Sequence, residues 1–281
     1  MNTLLAKEMI LSYLKEDVGT GDLSTDLVFG KELCGTGVFL AKDSGIISGT
    51  ELIALTYSLY TNDVKVTLYK HDGDRVEKGE DIAKVEGPVY VLLTCERIIL
   101  NLMQLMSGIA TAARTMVDAL DDPSIRIVDT RKTHPGLRIF EKYAVTCGGA
   151  FNHRFALYDG VMLKDNHIAF AGGIEKAVAL VRGKLGHMVK IEVETETEEQ
   201  VKQAVKAGAD VIMFDNRTPE EIKHLVTLVP KHIITEASGG ITLQSINTFK
   251  GCGVNYISSG SITNGAKPLD ISFNSTEGIK P

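Results

Sequence analysis

Five cationic side chains crowd into a few dozen residues of a chain whose net charge is −6: Arg131, Lys132, His153, Arg154 and Lys164. Guanidinium forks pair carboxylates or phosphates in bidentate fashion, while lysine supplies a point charge, so this group asks for a polyanionic ligand. Two carboxylates follow, Glu194 in KIEVE and Asp215 in DVIMFD. They suit Mg²⁺, which takes oxygen ligands and commonly bridges to substrate phosphates. A third group is Gly-rich: Ser238, Gly239 and Gly240, then Ser259, Gly260 and Ser261. Backbone N–H groups exposed ahead of a helix form a seat for phosphate.

The elements that must position these groups show in the texture of the chain. From RIVDT onward, short apolar runs alternate with Gly-rich or polar tips and with helical patterns, clearest in TEEQVKQAVKAG and TPEEIKHLV. The strands read as RIVDT, GVMLK, KIEVE, DVIMFD, HIITEASGG and NYISSG. So many strand–helix units in series favour a closed or nearly closed αβ barrel over an open parallel sheet. Their C-terminal ends then converge on one face and bring together Thr130, Arg131 and Lys132, Lys164, Glu194, Asp215, Ser238 to Gly240, and Ser259 with Gly260. Singly, a Ser or Asp at a strand end often only caps the next helix. As a set of six tips they describe a site for one phosphorylated ligand with a metal and one carboxylate-rich ligand. An aldolase, an isomerase or a transferase would all fit.

Residues 1–105 have a different texture and read as an N-terminal α/β domain, with 106–269 as the barrel and a tail of about 270–281 as a strand that rejoins the first domain. MNTLLAKEMILSYLKEDVG has the spacing of an amphipathic helix, not the unbroken apolar core of a signal peptide. HDGDRVEKGEDIAKVEGPV alternates like a hairpin, similar to the hammerhead hairpins of lipoyl and biotinyl carriers but without a lysine in a modification context. An apolar fraction of 44% and a charged fraction of 23% are those of an ordinary globular protein. The acidic balance argues against a nucleic-acid face. No run approaches the length of a membrane span. Scattered Cys34, Cys95, Cys147 and Cys252 indicate a reducing, cytoplasmic compartment. Cys147 reads as packing, the methionines of LNLMQLM as helix core, and His71, His187, His224 and His232 as surface residues.

The stretch DTRKTHPGLRIFEKYAVTCGGAFNHR, followed by LYDGVMLKDNHI, closely resembles the signature of the quinolinate phosphoribosyltransferase family, also called nicotinate-nucleotide pyrophosphorylase (carboxylating). The likeness extends to EDVGTGDLSTDL, ERIILNLMQLMSGIAT, KIEVE, IMFDN and EASGGI, and so covers nearly the whole chain in order. His134 departs from the family's usual Thr, and Ala150–Phe151 is a second small departure. The resemblance implies an N-terminal α/β sandwich plus an incomplete, seven-stranded αβ barrel, and an enzyme that joins quinolinate to phosphoribosyl pyrophosphate with loss of carbon dioxide. It implies that Arg131, His153, Arg154 and Lys164 cradle quinolinate, with Thr130 beside them. Lys132, Glu194 and Asp215 would hold phosphoribosyl pyrophosphate and Mg²⁺, and Ser238, Gly239, Gly240, Ser259 and Gly260 the 5′-phosphate. It further implies a homodimer in which Arg97, by spacing alone a solvated helix residue, is donated across the interface. Dimer and hexamer stay open. Two rivals are a phosphoribosyltransferase-like paralogue associated with molybdate transport and a non-catalytic hammerhead-type binding module.

Overall fold

A computed structural model describes residues 1–276 of the chain. The elements are α1 (Thr3–Val18), α2 (Leu23–Val28), β1 (Cys34–Ala41), β2 (Gly45–Ile46), α3 (Glu51–Ser58), β3 (Lys65–Leu68), β4 (Arg75–Val76), β5 (Asp81–Pro88) and α4 (Val89–Leu120). They continue as β6 (Arg126–Val128), α5 (Arg138–Cys147), β7 (Val161–Leu163), α6 (Asp165–Ala171), α7 (Ile174–Arg182), β8 (Ile191–Thr195) and α8 (Glu198–Ala207). The last are β9 (Val211–Asp215), α9 (Pro219–Val226), β10 (Ile234–Ser238), a 3₁₀ turn at Ile246–Phe249, β11 (Tyr256–Ser258), α10 (Ser261–Asn264) and β12 (Ile271–Ser275).

Two compact units divide this chain: Met1–Arg114 with His134–Gly149 and the stretch from Gly265 in one, Thr115–Thr133 with Ala150–Asn264 in the other. The sequence boundary at 105/106 falls inside the continuous helix α4, and α5 groups with the first unit, not with the barrel. The tail expected over 270–281 is described as far as 276, with β12 inside it. Residues 277–281 lie outside the described residues.

In the first unit Asn2 caps α1 by accepting the N–H groups of Leu4 and Leu5. Ala6, Ile10 and Leu14, one turn apart, form its buried stripe. The sheet runs β12-β1-β5-β3 and is antiparallel throughout. The Phe39–Phe273 pair locks its edge, with ring centroids 4.9 Å apart. The hairpin expected over 71–89 does not form: β4 pairs with β2, while β5 joins β1 and β3 in the larger sheet. Two neighbouring strands demand more backbone partners than one hairpin supplies, and β1 and β3 provide them for β5.

α4 is apolar and long enough, by length and composition, to cross a membrane, which corrects the expectation that no run approaches that length. Half of its most apolar window is buried inside the protein, and Cys95, Ile99, Met103, Met106, Ile109 and Ala110 are core residues. Its apolarity serves the interior of the protein.

The second unit is a parallel sheet in the order β6-β11-β10-β9-β8-β7. Phe151 bridges in parallel to Val128 on the free edge of β6, which makes a seventh chain pass one residue long. The Phe151 segment and β7, consecutive in the chain, are the two edges, so the barrel is incomplete. Val193, Ile212, Phe214, Ala237 and Ile257 are fully buried along the strands. The covering helices start where the sequence says they should. Thr197 and Gln200 form a capping box on α8, Thr218 and Glu221 form another on α9, and Pro219 occupies the first turn.

Candidate active site

Strand register decides which tips meet. Glu194 pairs with Met213 between β8 and β9, and Asp215 pairs with Ser238 between β9 and β10. Successive strand residues face opposite sides, so Glu192 and Glu194, Met213 and Asp215, and Glu236 and Ser238 all point to the same face. Lys164, just past β7, donates from Nζ to Glu194 Oε2 at 2.8 Å and so ties two strand tips together. Burial, and then the charge of Glu194, push the Asp215 carboxyl above its ordinary range, while Lys164 opposes the shift. Glu194 and Asp215 thus form an oxygen-rich pair that a divalent cation would relieve.

The Gly-rich tips are shaped by close contacts. Gly239 sits at φ +93°, and any side chain there would run into Asn216. Asn216 itself is left-handed, donates its N–H to Ser238 O at 2.9 Å and from Nδ2 reaches Asp215 Oδ2 at 2.6 Å. On the neighbouring tip, a Cβ on Gly260 would stand 2.7 Å from Lys132 Cδ. The Lys132 loop is held by its N–H to Thr130 Oγ1 at 3.0 Å and by Thr263 Oγ1 donating to Lys132 O at 2.8 Å. Ser259 Oγ donates to Ile241 O at 2.6 Å and lies 2.8 Å from Ser261 Oγ.

The cations assemble around Arg154. Burial, and next the nearby charge of Arg131, lower its pKa, and Glu192 works in the opposite direction. Two guanidinium groups within electrostatic reach favour an anion between or beside them. Arg154 Nη1 donates to Gly160 O at 2.8 Å. Arg131 and Lys132 are exposed at the end of β6. Arg97 is exposed on α4, in the first unit.

Three buried acids lie behind this wall that strand-end reasoning did not single out. Asp129, fully buried, accepts the His153 N–H at 2.8 Å and Asn152 Nδ2–H at 2.8 Å. Glu192 and Glu236 are both buried and approach His153 Nε2 at 3.1 and 3.6 Å. Burial and the charge of Glu192 push Glu236 upward, against the pull of His153. Their signal in the sequence was the paired glutamates of KIEVE, two residues apart and so on one strand face, and the lone Glu in an otherwise apolar ITEA.

Two family models match the chain: quinolinate phosphoribosyl transferase, N-terminal domain, over residues 22–107, and the C-terminal domain of the same family over 109–274. A Bacillus subtilis protein called a probable nicotinate-nucleotide pyrophosphorylase [carboxylating] is 53% identical over 98% of this chain and 95% of its own. A mitochondrial quinolinate phosphoribosyltransferase [decarboxylating] of Nicotiana tabacum is 40% identical over 95% of this chain and 81% of its own. The crystal structure of NadC from Streptococcus pyogenes superposes with a TM-score of 0.95 at 39% identity, over all of this chain and 98% of that one.

Proposed function

The chain belongs to the quinolinate phosphoribosyltransferase family, and from that premise we propose that it joins quinolinate to the ribose of phosphoribosyl pyrophosphate, yielding nicotinate mononucleotide, pyrophosphate and carbon dioxide for NAD biosynthesis. The observation that carries the reading is the juxtaposition, on one barrel, of the Arg131–Arg154 cations with the Glu194–Asp215 carboxylates. Neither rival is favoured. The relatives carry the quinolinate or nicotinate-nucleotide names, and the strands of the supposed hammerhead enter different sheets.

Arg131, Arg154 and Lys164 take the two carboxylates of quinolinate, with His153 and Thr130 in the same wall. Ser238, Gly239, Gly240, Ser259 and Gly260 seat the 5′-phosphate. The ring nitrogen attacks the anomeric carbon as pyrophosphate leaves, and Lys132 faces the departing charge. Glu194 and Asp215 face the ribose, whose transition state gathers positive charge. Glu194 and Asp215 would also hold Mg²⁺, which would supply charge neutralisation for the departing pyrophosphate. Positioning and charge stabilisation suffice, with no covalent enzyme intermediate. Once the nitrogen is quaternised, the adjacent carboxylate leaves as carbon dioxide, its electron pair stays on the ring carbon, and Lys164 supplies the proton that quenches it.

The working unit is a homodimer in the cytoplasm, with Arg97 of the partner subunit completing the carboxylate cradle. Exposed Leu23, Leu27 and Val28 on α2, and Leu157, Tyr158 and Phe170 in the second unit, support a surface that another copy covers. The test is the purified protein with quinolinate, phosphoribosyl pyrophosphate and Mg²⁺. Nicotinate mononucleotide and carbon dioxide should appear in equal amounts, and folded protein that releases no carbon dioxide would sink the reading.

A further inference from the structure

Beneath the cations, the inward face of the barrel carries a chain of contacts that no strand tip explains. Glu192 on β8 and Glu236 on β10 flank β9, opposite Val211 and Met213 respectively. Each is almost completely buried, an expensive place for a carboxylate unless a partner answers it. That partner is His153, whose Nε2 lies 3.1 Å from Glu192 Oε2 and 3.6 Å from Glu236 Oε2. The other ring nitrogen, Nδ1, accepts the backbone N–H of Arg154 at 2.7 Å. An imidazole nitrogen that accepts carries no proton, so the ring's proton sits on Nε2 and is directed at the glutamates. The backbone N–H of His153 is in turn fastened to Asp129 Oδ1 at 2.8 Å.

We propose that Glu192 and Glu236 are positioning residues for Arg154. Glu192 accepts the hydrogen bond from Nε2–H, and Glu236, at 3.6 Å, adds its charge beside it. Together they hold His153 in the tautomer whose Nδ1 anchors the Arg154 backbone, and thereby set where the guanidinium meets a substrate carboxylate. The proposal rests on the reading that Arg154 binds quinolinate. It moves His153 from a cation of the cradle to the neutral support behind it. It also separates the cluster from a metal site: the ligand atoms of these three residues lie within 4.8 Å of one another, but a ring nitrogen that keeps its proton cannot ligate.

The first test needs no variant. Long-range proton–nitrogen correlation spectra of protein labelled with ¹⁵N-histidine, with His153→Asn to assign the signal, should show His153 neutral and protonated at Nε2. A proton on Nδ1, or on both nitrogens, at pH 8 overturns the proposal. The second test removes the acceptor at constant bulk. Glu192→Met should raise the KM for quinolinate roughly tenfold or more, the loss expected when a buried hydrogen bond leaves one partner unmet. The KM for phosphoribosyl pyrophosphate should stay near its wild-type value. Glu192→Gln, which keeps an acceptor oxygen, should recover most of the quinolinate affinity. Equal rises in both KM values, or no recovery in the glutamine variant, also overturn it. Arg154→Ala separates this inference from the reading beneath it. An unchanged quinolinate KM in that variant defeats the function assigned to Arg154, whereas a wrong His153 tautomer beside an impaired Arg154→Ala defeats the positioning role alone.

Discussion

Charge at single residues decides how the site discriminates. Burial and the charge of Arg131 disfavour the Arg154 cation, and burial with the charge of Glu194 disfavours the Asp215 carboxylate, so each invites an ion of opposite sign. Arg131→Ala or Arg154→Ala should therefore abolish quinolinate binding and spare that of phosphoribosyl pyrophosphate, which calorimetric titration of each ligand alone would check. Nicotinate has one carboxylate fewer, and leaves a cradle cation unmet at about 1–3 kcal/mol. Glu236 makes a pH prediction. Its folded pKa is raised, so its contribution to stability is fully present below the ordinary carboxylate range and is lost as pH rises through the folded value. Glu236→Gln, always neutral, should melt higher than wild type at pH 8 in thermal unfolding, and that advantage should vanish near pH 4. These buried acids were hard to see in the sequence, because a glutamate in a strand gives no sign of whether its face is wet.

At the scale of elements, the tips depend on backbone that only certain residues allow. Gly239→Ala places a side chain in the left-handed region and against Asn216, whose N–H bonds Ser238. The strain is on the order of 1–3 kcal/mol, and denaturant unfolding should record it together with a weakened hold on phosphoribosyl pyrophosphate. Local signals of this kind were legible: the capping boxes of α8 and α9 lie in TETEEQ and RTPEE, and the strand cores in IEVE and VIMF. The hairpin expected over 71–89 fails for a physical reason. Alternation reports that a strand has two unlike faces and says nothing of which strand it bonds. The β2–β4 pairing and the β1–β5–β3 sheet are non-local choices. α4 carries the same lesson, since its apolar length is that of a membrane helix and only its buried side chains identify it as core.

For the whole molecule, the homodimer reading has a clean test, because donated and resident residues can be disabled separately. Arg97→Ala and Lys132→Ala should each be inactive alone. Unfolded together and refolded as a mixture, they should regain about a quarter of wild-type activity if Arg97 acts across the interface, since half the dimers are hybrids and each hybrid has one intact site. No recovery in verified hybrids would place Arg97 with its own barrel. By itself the sequence determined the chemical inventory: which strand ends carry cations, carboxylates and glycines, that strands and helices alternate, and, through the resemblance, the reaction. Those properties are local, written in side-chain type and in periods of two and 3.6 residues. Only the tertiary structure decided that the Lys164 ammonium closes on Glu194, that Asp215 stands level with Ser238, and that Glu192 and Glu236 converge on His153 from strands that do not touch. Register and barrel curvature bring those groups together, and neither is encoded in any one stretch of chain.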